Sequence, residues 1–334
     1  MIIYILFSLL AAVIVHLVYK KQTGFKLKGK HIVVVGGSSG IGKELVYELL
    51  KENIASISVI SRSLDKLRSV VDDCPSEVCT KSTPLNVGSL KSKIEIYSCD
   101  ITNKIKVKET IAQIVSKNQG GKIDCLINCA GFAIPGYFIE QDEEIFEKTM
   151  QLDYFGSLYA TKEVVPLMIE NGGQGGHIVF VSSTCGLVGV PGYSTYCPSK
   201  FALRGLAETL RSELKPYKIT FSVVYPPDTD TPGYQQENLT KPEETVAISG
   251  GGKAVSPLEV AKSIVSGIKN GDYHIAYDVP TKLCAVLSPG LTPFYFSFFD
   301  ILLAPICRLV GIIAMNQNDA EVLKSWKKRN QLKK

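Results

Sequence analysis

The chain has 334 residues, 45% of them hydrophobic and 21% charged, enough for one large core or two smaller ones. Collagen-like, coiled-coil and largely disordered compositions are excluded, and a net charge of +5, concentrated at the two ends, is too small for a nucleic-acid-binding surface. Nine cysteines, an odd number with several inside apolar runs, read as free thiols of a reducing compartment. His16, His31, His177 and His274 form neither a helix-spaced pair nor part of a Cys-x-x-Cys knuckle, so no metal site is expected.

Ile2 to Tyr19 is an apolar run broken only by Ser8 and His16, close to the length that crosses ~30 Å of hydrocarbon. A secretory leader would carry basic residues before the run. Here Lys20, Lys21, Lys26, Lys28 and Lys30 follow it, so residues 1–19 read as an uncleaved transmembrane anchor with the rest of the chain on the cytosolic side.

From Lys30 to about Asn270, short β-branched runs alternate with helix-length amphipathic segments. This predicts an α/β fold, a doubly wound and mostly parallel sheet, as one catalytic domain over residues 28–275. Strands are expected at His31 to Val35, Ile57 to Ser61, Ile94 to Ser98, Cys125 to Asn128, His177 to Val181 and Ile219 to Tyr225. Helices are expected near Ile41 to Glu52, Val107 to Ser116, Asp142 to Met168, Tyr196 to Leu214 and Pro257 to Lys269. Asp72 to Lys93, rich in Ser, Thr, Pro and Cys, reads as an exposed insertion.

The first strand runs into Gly36-Gly37-Ser38-Ser39-Gly40-Ile41-Gly42 and then a helix. Glycines there let the backbone approach a pyrophosphate that the helix N-terminus can hold, so Gly36, Ser38, Ser39, Gly40, Ile41 and Gly42 are expected at a dinucleotide. After the second strand, where an acidic residue would bind a free ribose, stand Ser61-Arg62-Ser63 and then Lys66. Arg62, helped by Lys66, therefore favours the 2′-phosphate of NADP(H), the alternative being a solvated surface arginine. Asp100 falls where an adenine edge would lie, or caps the helix that starts near Asn103.

Tyr196 and Lys200 are four residues apart on one helix face, so the ammonium can approach the phenol and lower its pKa. Ser182 and Ser183 end the fifth strand, in the crevice where open α/β sheets bind ligands. Residues 283–315 are apolar but interrupted by Pro289, Pro293 and Pro305 and carry Asp300 and Arg308. They read either as a broken membrane-associated segment or as an amphipathic lid or dimer face. A basic tail, residues 316–334, completes the chain.

In order, Gly36-x-x-x-Gly40-Ile41-Gly42, Asn128-Cys129-Ala130-Gly131, Ser183 and Tyr196-x-x-x-Lys200 resemble the short-chain dehydrogenase/reductase family over roughly Lys28 to Asn270. The segment Tyr225 to Tyr234, Glu237 to Glu243 and the terminal apolar segments resemble one branch, the reductases of 3-ketosphinganine. Three positions depart from the family: Val35 for a threonine, Asp153 for an asparagine that kinks its helix and whose carbonyl holds a water for the lysine, and Pro226-Pro227 for Pro-Gly.

The resemblance implies a Rossmann fold, NADPH as cofactor with Asn128 at its site, Tyr196 as acid, Lys200 at the phenol and the ribose, and Ser183, selected over Ser182 by the family spacing, as hydrogen-bond donor to the ketone. It also implies a long-chain keto-amine lipid as substrate, whose ammonium Asp228 and Asp230 after the sixth strand would meet unless they are N-capping or solvated loop aspartates, and the endoplasmic-reticulum membrane as location, the domain facing the cytosol. A membrane-bound steroid or retinol dehydrogenase is the alternative activity, a non-catalytic membrane scaffold a more distant one, and a homo-oligomer is left open.

Overall fold

Burial on both faces sets the character of the strands. The computed structural model describes residues 24–75, 91–117, 121–249, 254–288 and 298–332. In it β1 (His31–Val35) is buried throughout, with Ile32 and Val34 in one apolar layer and Val33 and Val35 in the other. The same demand shapes β2 (Ser56–Ser61), β3 (Ile94–Ser98), β4 (Cys125–Asn128), β5 (Gly176–Val181), β6 (Ile219–Tyr225) and β7 (His274–Ala276). They form one seven-stranded sheet in the order β3-β2-β1-β4-β5-β6-β7, every pair parallel. Successive strands are added toward one edge from β1 to β3 and toward the other from β4 to β7, and ligands of such sheets bind at the carboxyl ends where this order switches, between β1 and β4.

One face is covered by α1 (Gly40–Leu50), α2 (Leu64–Asp72) and, further along, α9 (Pro257–Asn270). Leu45, Leu49 and Leu50 of α1 are fully buried, and truncating such a leucine to alanine costs ~2–5 kcal/mol. Pro257 opens α9, and Gly271 closes it in the left-handed region at φ 73°. The opposite face is covered by α3 (Lys104–Lys117), α5 (Ser157–Glu170) and α6 (Cys197–Glu213). A continuous helix expected over Asp142 to Met168 is instead α4 (Glu143–Met150), a π turn (Gln151–Gly156) and α5.

Two short helices, α7 (Pro232–Glu237) and α8 (Glu243–Ile248), follow β6, and α10 (Val279–Leu287) follows β7. The final helix, α11 (Phe298–Leu332), has 35 residues and packs on α8 and α10. Its far end is tied down by Lys328 to Glu243 at 2.8 Å and Arg329 to Glu244 at 3.2 Å. It passes through residue 316 without a break, because Asn316-Gln317-Asn318-Asp319-Ala320-Glu321 contains neither proline nor glycine. Among the described residues no helix is long and apolar enough to cross a membrane. The anchor expected over residues 1–19, most of the insertion from Asp72 to Lys93, and residues 289–297 of the apolar segment lie outside the described residues.

Candidate active site

The turn after β1 is built to meet a phosphate. Gly36 (φ 85°) and Gly40 (φ 53°) occupy the left-handed region, and a Cβ on Gly36 would lie 2.5 Å from the Ala130 nitrogen. Ser39 precedes α1 with extended backbone and makes no side-chain cap, so the first-turn N–H groups and the positive end of the helix remain available to an anion. Ser38 Oγ donates to Ser61 Oγ at 2.7 Å, tying the turn to the end of β2, where Arg62 stands exposed. Gly36, Ser38, Ser39, Gly40, Ile41 and Gly42, with Arg62, line one cleft of about 710 Å³. These residues fit a phosphorylated dinucleotide. Loss of the threonine at Val35 leaves the turn held by backbone, through Cys129 N to Val35 O at 2.8 Å and Gly36 N to Ile60 O at 2.8 Å.

Three residues expected at the cofactor stand back from this cleft. Lys66 is exposed in the first turn of α2, where its backbone N–H donates to the Ser63 cap, and is not among the lining residues. Asp100 lines a smaller adjoining pocket together with Arg62, and its Oδ1 accepts from the Thr102 N–H and hydroxyl; Asn103, rather than Asp100, caps α3. Asn128 is buried beneath the lining residues Cys129, Ala130 and Gly131 and donates to Thr161 Oγ1 at 3.2 Å. Among the described residues its Oδ1 has no hydrogen-bond partner.

The catalytic candidates meet on the other side of the cleft. Ser182 Oγ donates to the Lys200 carbonyl at 3.0 Å, which turns it into the protein. Both serines border the cleft, and Ser183 Oγ, which accepts from Cys185 N at 3.1 Å, is the one that interacts with the Tyr196 phenol. Tyr196 forms the N-cap of α6, and Lys200 Nζ lies 5.3 Å from the Tyr196 ring centroid. The expected lowering of the phenol pKa does not hold here. Burial pushes the Tyr196 phenol well above its ordinary value, the charge of Asp153 adds to this, and the Ser183 bond only opposes it.

The reason lies in Asp153. In the π turn its carboxylate is fully buried, accepts from Phe132 N at 3.0 Å and Ser199 Oγ at 3.1 Å, and pairs with Lys200 Nζ at 3.5 Å. Its backbone carbonyl accepts from Ser157 Oγ at 2.9 Å. The side chain, not the carbonyl implied by the family, therefore meets the lysine. Burial raises the Asp153 pKa, and Lys200, Phe132 and Ser199 work against that rise.

Beyond β6, Pro226, Pro227 and Asp228 line the cleft, and Thr184 N donates to Pro226 O at 3.1 Å. Asp230 does not belong to it: it is exposed, its backbone bonds Val255, and its carboxylate receives only Gln235 Nε2 at 3.5 Å. The sequence reading missed Glu237 and Tyr193, which also line the cleft, and Lys241 behind them. The one available signal was the four-residue spacing of Glu237 and Lys241.

A parallel sheet with a phosphate-binding first turn and a Ser-Tyr-Lys cluster at its carboxyl edge defines a dehydrogenase or reductase. The model of the short chain dehydrogenase family matches residues 30–242, and the chain belongs to this family. The 3-dehydrosphinganine reductase of Danio rerio is 38% identical over 268 residues, 80% of this chain and 77% of its own. The 3-ketodihydrosphingosine reductase TSC10 of Cryptococcus neoformans is 29% identical over 91% of this chain and 89% of its own. Among solved structures, ElxO with NADP bound aligns with a TM-score of 0.61 at 26% identity, over 75% of this chain and 97% of that one.

Proposed function

We propose that this chain reduces 3-ketosphinganine to sphinganine with NADPH. The observation that carries the reading is the convergence of Ser183, Tyr196 and Lys200 on a cleft that opens at the Gly36–Gly42 turn, in a chain 38% identical to proteins named for that reaction. When bound, NADPH supplies a hydride to the ketone carbon. Gly36, Ser38, Ser39, Gly40, Ile41 and Gly42 would hold its pyrophosphate, and Arg62 its 2′-phosphate. Tyr196 gives its proton to the ketone oxygen as negative charge develops there, and Ser183 donates a hydrogen bond to the same oxygen. Lys200 would hold the nicotinamide ribose. Tyr196 begins the reaction protonated, which its elevated pKa favours.

The membrane reading belongs to the same proposal. Residues 1–19 anchor the chain, with the catalytic domain on the cytosolic face of the endoplasmic reticulum. The lysines after the apolar run support that orientation. The segment 283–315 and the basic tail lie on the bilayer surface, a reading supported by the exposed Leu309, Val310 and Ile313 on α11. A lipid substrate then need not leave the bilayer fully, and each methylene kept from water is worth ~0.8 kcal/mol.

Purified protein incubated with NADPH and 3-ketosphinganine should yield sphinganine, whereas a steroid and a retinoid ketone offered in parallel should turn over far more slowly. Faster reduction of either rival would overturn the assignment. Protease added to sealed microsomes should digest the catalytic domain; protection would place it in the lumen.

A further inference from the structure

Behind the substrate side of the cleft sits a cluster of charges that proton transfer at Tyr196 does not use. Lys241 Nζ lies 3.3 Å from Glu237 Oε1 and 3.5 Å from Asp228 Oδ2, with its side chain only 1% exposed. These are ion pairs without hydrogen-bond geometry. Tyr193 donates its hydroxyl to Glu237 Oε1, and Tyr234 donates to Asp228 Oδ2 at 3.0 Å. Lys241 also lies 4.4 Å from the Tyr234 ring centroid.

The arrangement is lopsided toward the cleft. Glu237 and Asp228 line it, with side chains 16% and 28% exposed, whereas the lysine is sealed behind them and does not line it. Every hydrogen bond to the two carboxylates falls on Oε1 or Oδ2, so Oε2 and Oδ1 carry none among the described residues. Two carboxylates share one ammonium, which leaves one uncompensated negative charge beside the reacting centre. The Tyr193 ring, which carries the Glu237 contact, stands with its centroid 5.8 Å from that of Tyr196. Burial pushes the Glu237 carboxyl up, while Tyr193 and Lys241 favour its ionised form. A second cation arriving from the cleft would favour it further.

The geometry points to Glu237, with Asp228 beside it, as the subsite that binds the protonated amine of an α-amino ketone, Lys241 and Tyr193 being positioning residues that hold the carboxylates. This rests on the reductase reading above and deepens it. In such a substrate the ammonium is borne on the carbon next to the ketone, so its partner must lie near Tyr196; Glu237 lines the same cleft and bonds Tyr193, whose ring centroid is 5.8 Å from that of Tyr196. A neutral ketone gains nothing from the surplus charge and must leave the two carboxylates facing an apolar ligand.

The test uses the full chain in detergent micelles, with NADPH oxidation followed for 3-ketosphinganine and for its desamino analogue, the same hydroxy ketone with hydrogen in place of the ammonium. The wild-type protein should favour the amine by about tenfold or more in kcat/KM, the range of a charge-assisted hydrogen bond. Glu237→Gln should lower kcat/KM for the amine ~10- to 100-fold, mostly through KM, and change the desamino value less than about threefold. Turnover of the amine with no preference over the desamino ketone, or equal losses for both in the variant, overturns the subsite and leaves the reductase reading standing. Should Glu237→Gln not fold, the wild-type comparison decides alone. Failure to reduce the amine at all overturns both readings.

Discussion

Tyr196 holds its proton against loss on three sides: burial, the Asp153 carboxylate and the nearby Glu237 all disfavour the phenolate. For a reductase that is the productive starting state, because the proton must be present when the ketone oxygen begins to gain charge. Tyr196→Phe keeps the ring and removes that proton, so turnover should fall by roughly 10²–10⁴, the usual worth of a general acid, while NADPH affinity, measured by fluorescence titration, changes little. Retained turnover would show that another group supplies the proton. Arg62 acts at the opposite end of the cleft, exposed and at the meeting point of both pockets. Arg62→Ala should raise KM for NADPH about tenfold to a hundredfold and leave NADH nearly unchanged, since only the former carries the phosphate. Equal losses with both cofactors would assign Arg62 to the fold.

At the scale of the element, the π turn from Gln151 to Gly156 is what delivers Asp153 to Lys200. Asp153→Asn retains an oxygen for Phe132 N–H and removes the charge that Tyr196 feels. The alkaline limb of the kcat/KM profile for reduction should then move down by about one pH unit, the scale of a 1.4 kcal/mol interaction. An unmoved limb would mean that Asp153 supports geometry alone. The apolar spacing over Asp142 to Met168 reads as one helix, and only the resemblance, through the kinking position that Asp153 occupies, pointed to a break where the π turn lies. Strands were legible because both faces of a central parallel strand must be apolar, as in His31 to Val35. Helix α2 was not legible: only Leu67 and Val70 are buried in it, too few to set a period. Helix α7 begins at Pro232 within a Thr, Pro and Asp-rich stretch that reads as loop. For the same reason the glycine turn, Ser183, Tyr196 and Lys200 could be placed from spacing, whereas the link from Glu237 to Tyr193 joins elements distant in the chain and needs tertiary structure to bring it together.

Across the whole molecule, desolvation lowers the pKa of His31, His177 and His274 and so couples stability to pH, the last two being shifted furthest. His177 in β5 sits between the hydroxyls of Thr220 and Ser222 and stacks on Phe25, and burial pushes its pKa down to about 3. His274 in β7 meets the Tyr225 hydroxyl and is pushed down to about 4, again by burial first and then by Arg204 and Arg211. Both pKa values are lowered on folding, so the unfolded chain binds the extra protons. Their contribution is therefore fully present above about pH 6.5 and is lost as pH falls toward the folded values. Urea unfolding followed by circular dichroism should show a loss of about 2 kcal/mol per histidine between pH 7 and pH 5, and a flat profile would exclude the effect. The order of the strands has a consequence for how the chain is made. β1 finds β2 almost at once, but its other neighbour, through pairs such as Ile32 with Cys125, is β4. At ~5–20 residues per second a ribosome needs on the order of ten seconds to deliver that partner. During that interval a strand apolar on both faces has one edge without its native partner, an exposure that ends only once Asn128 has been made.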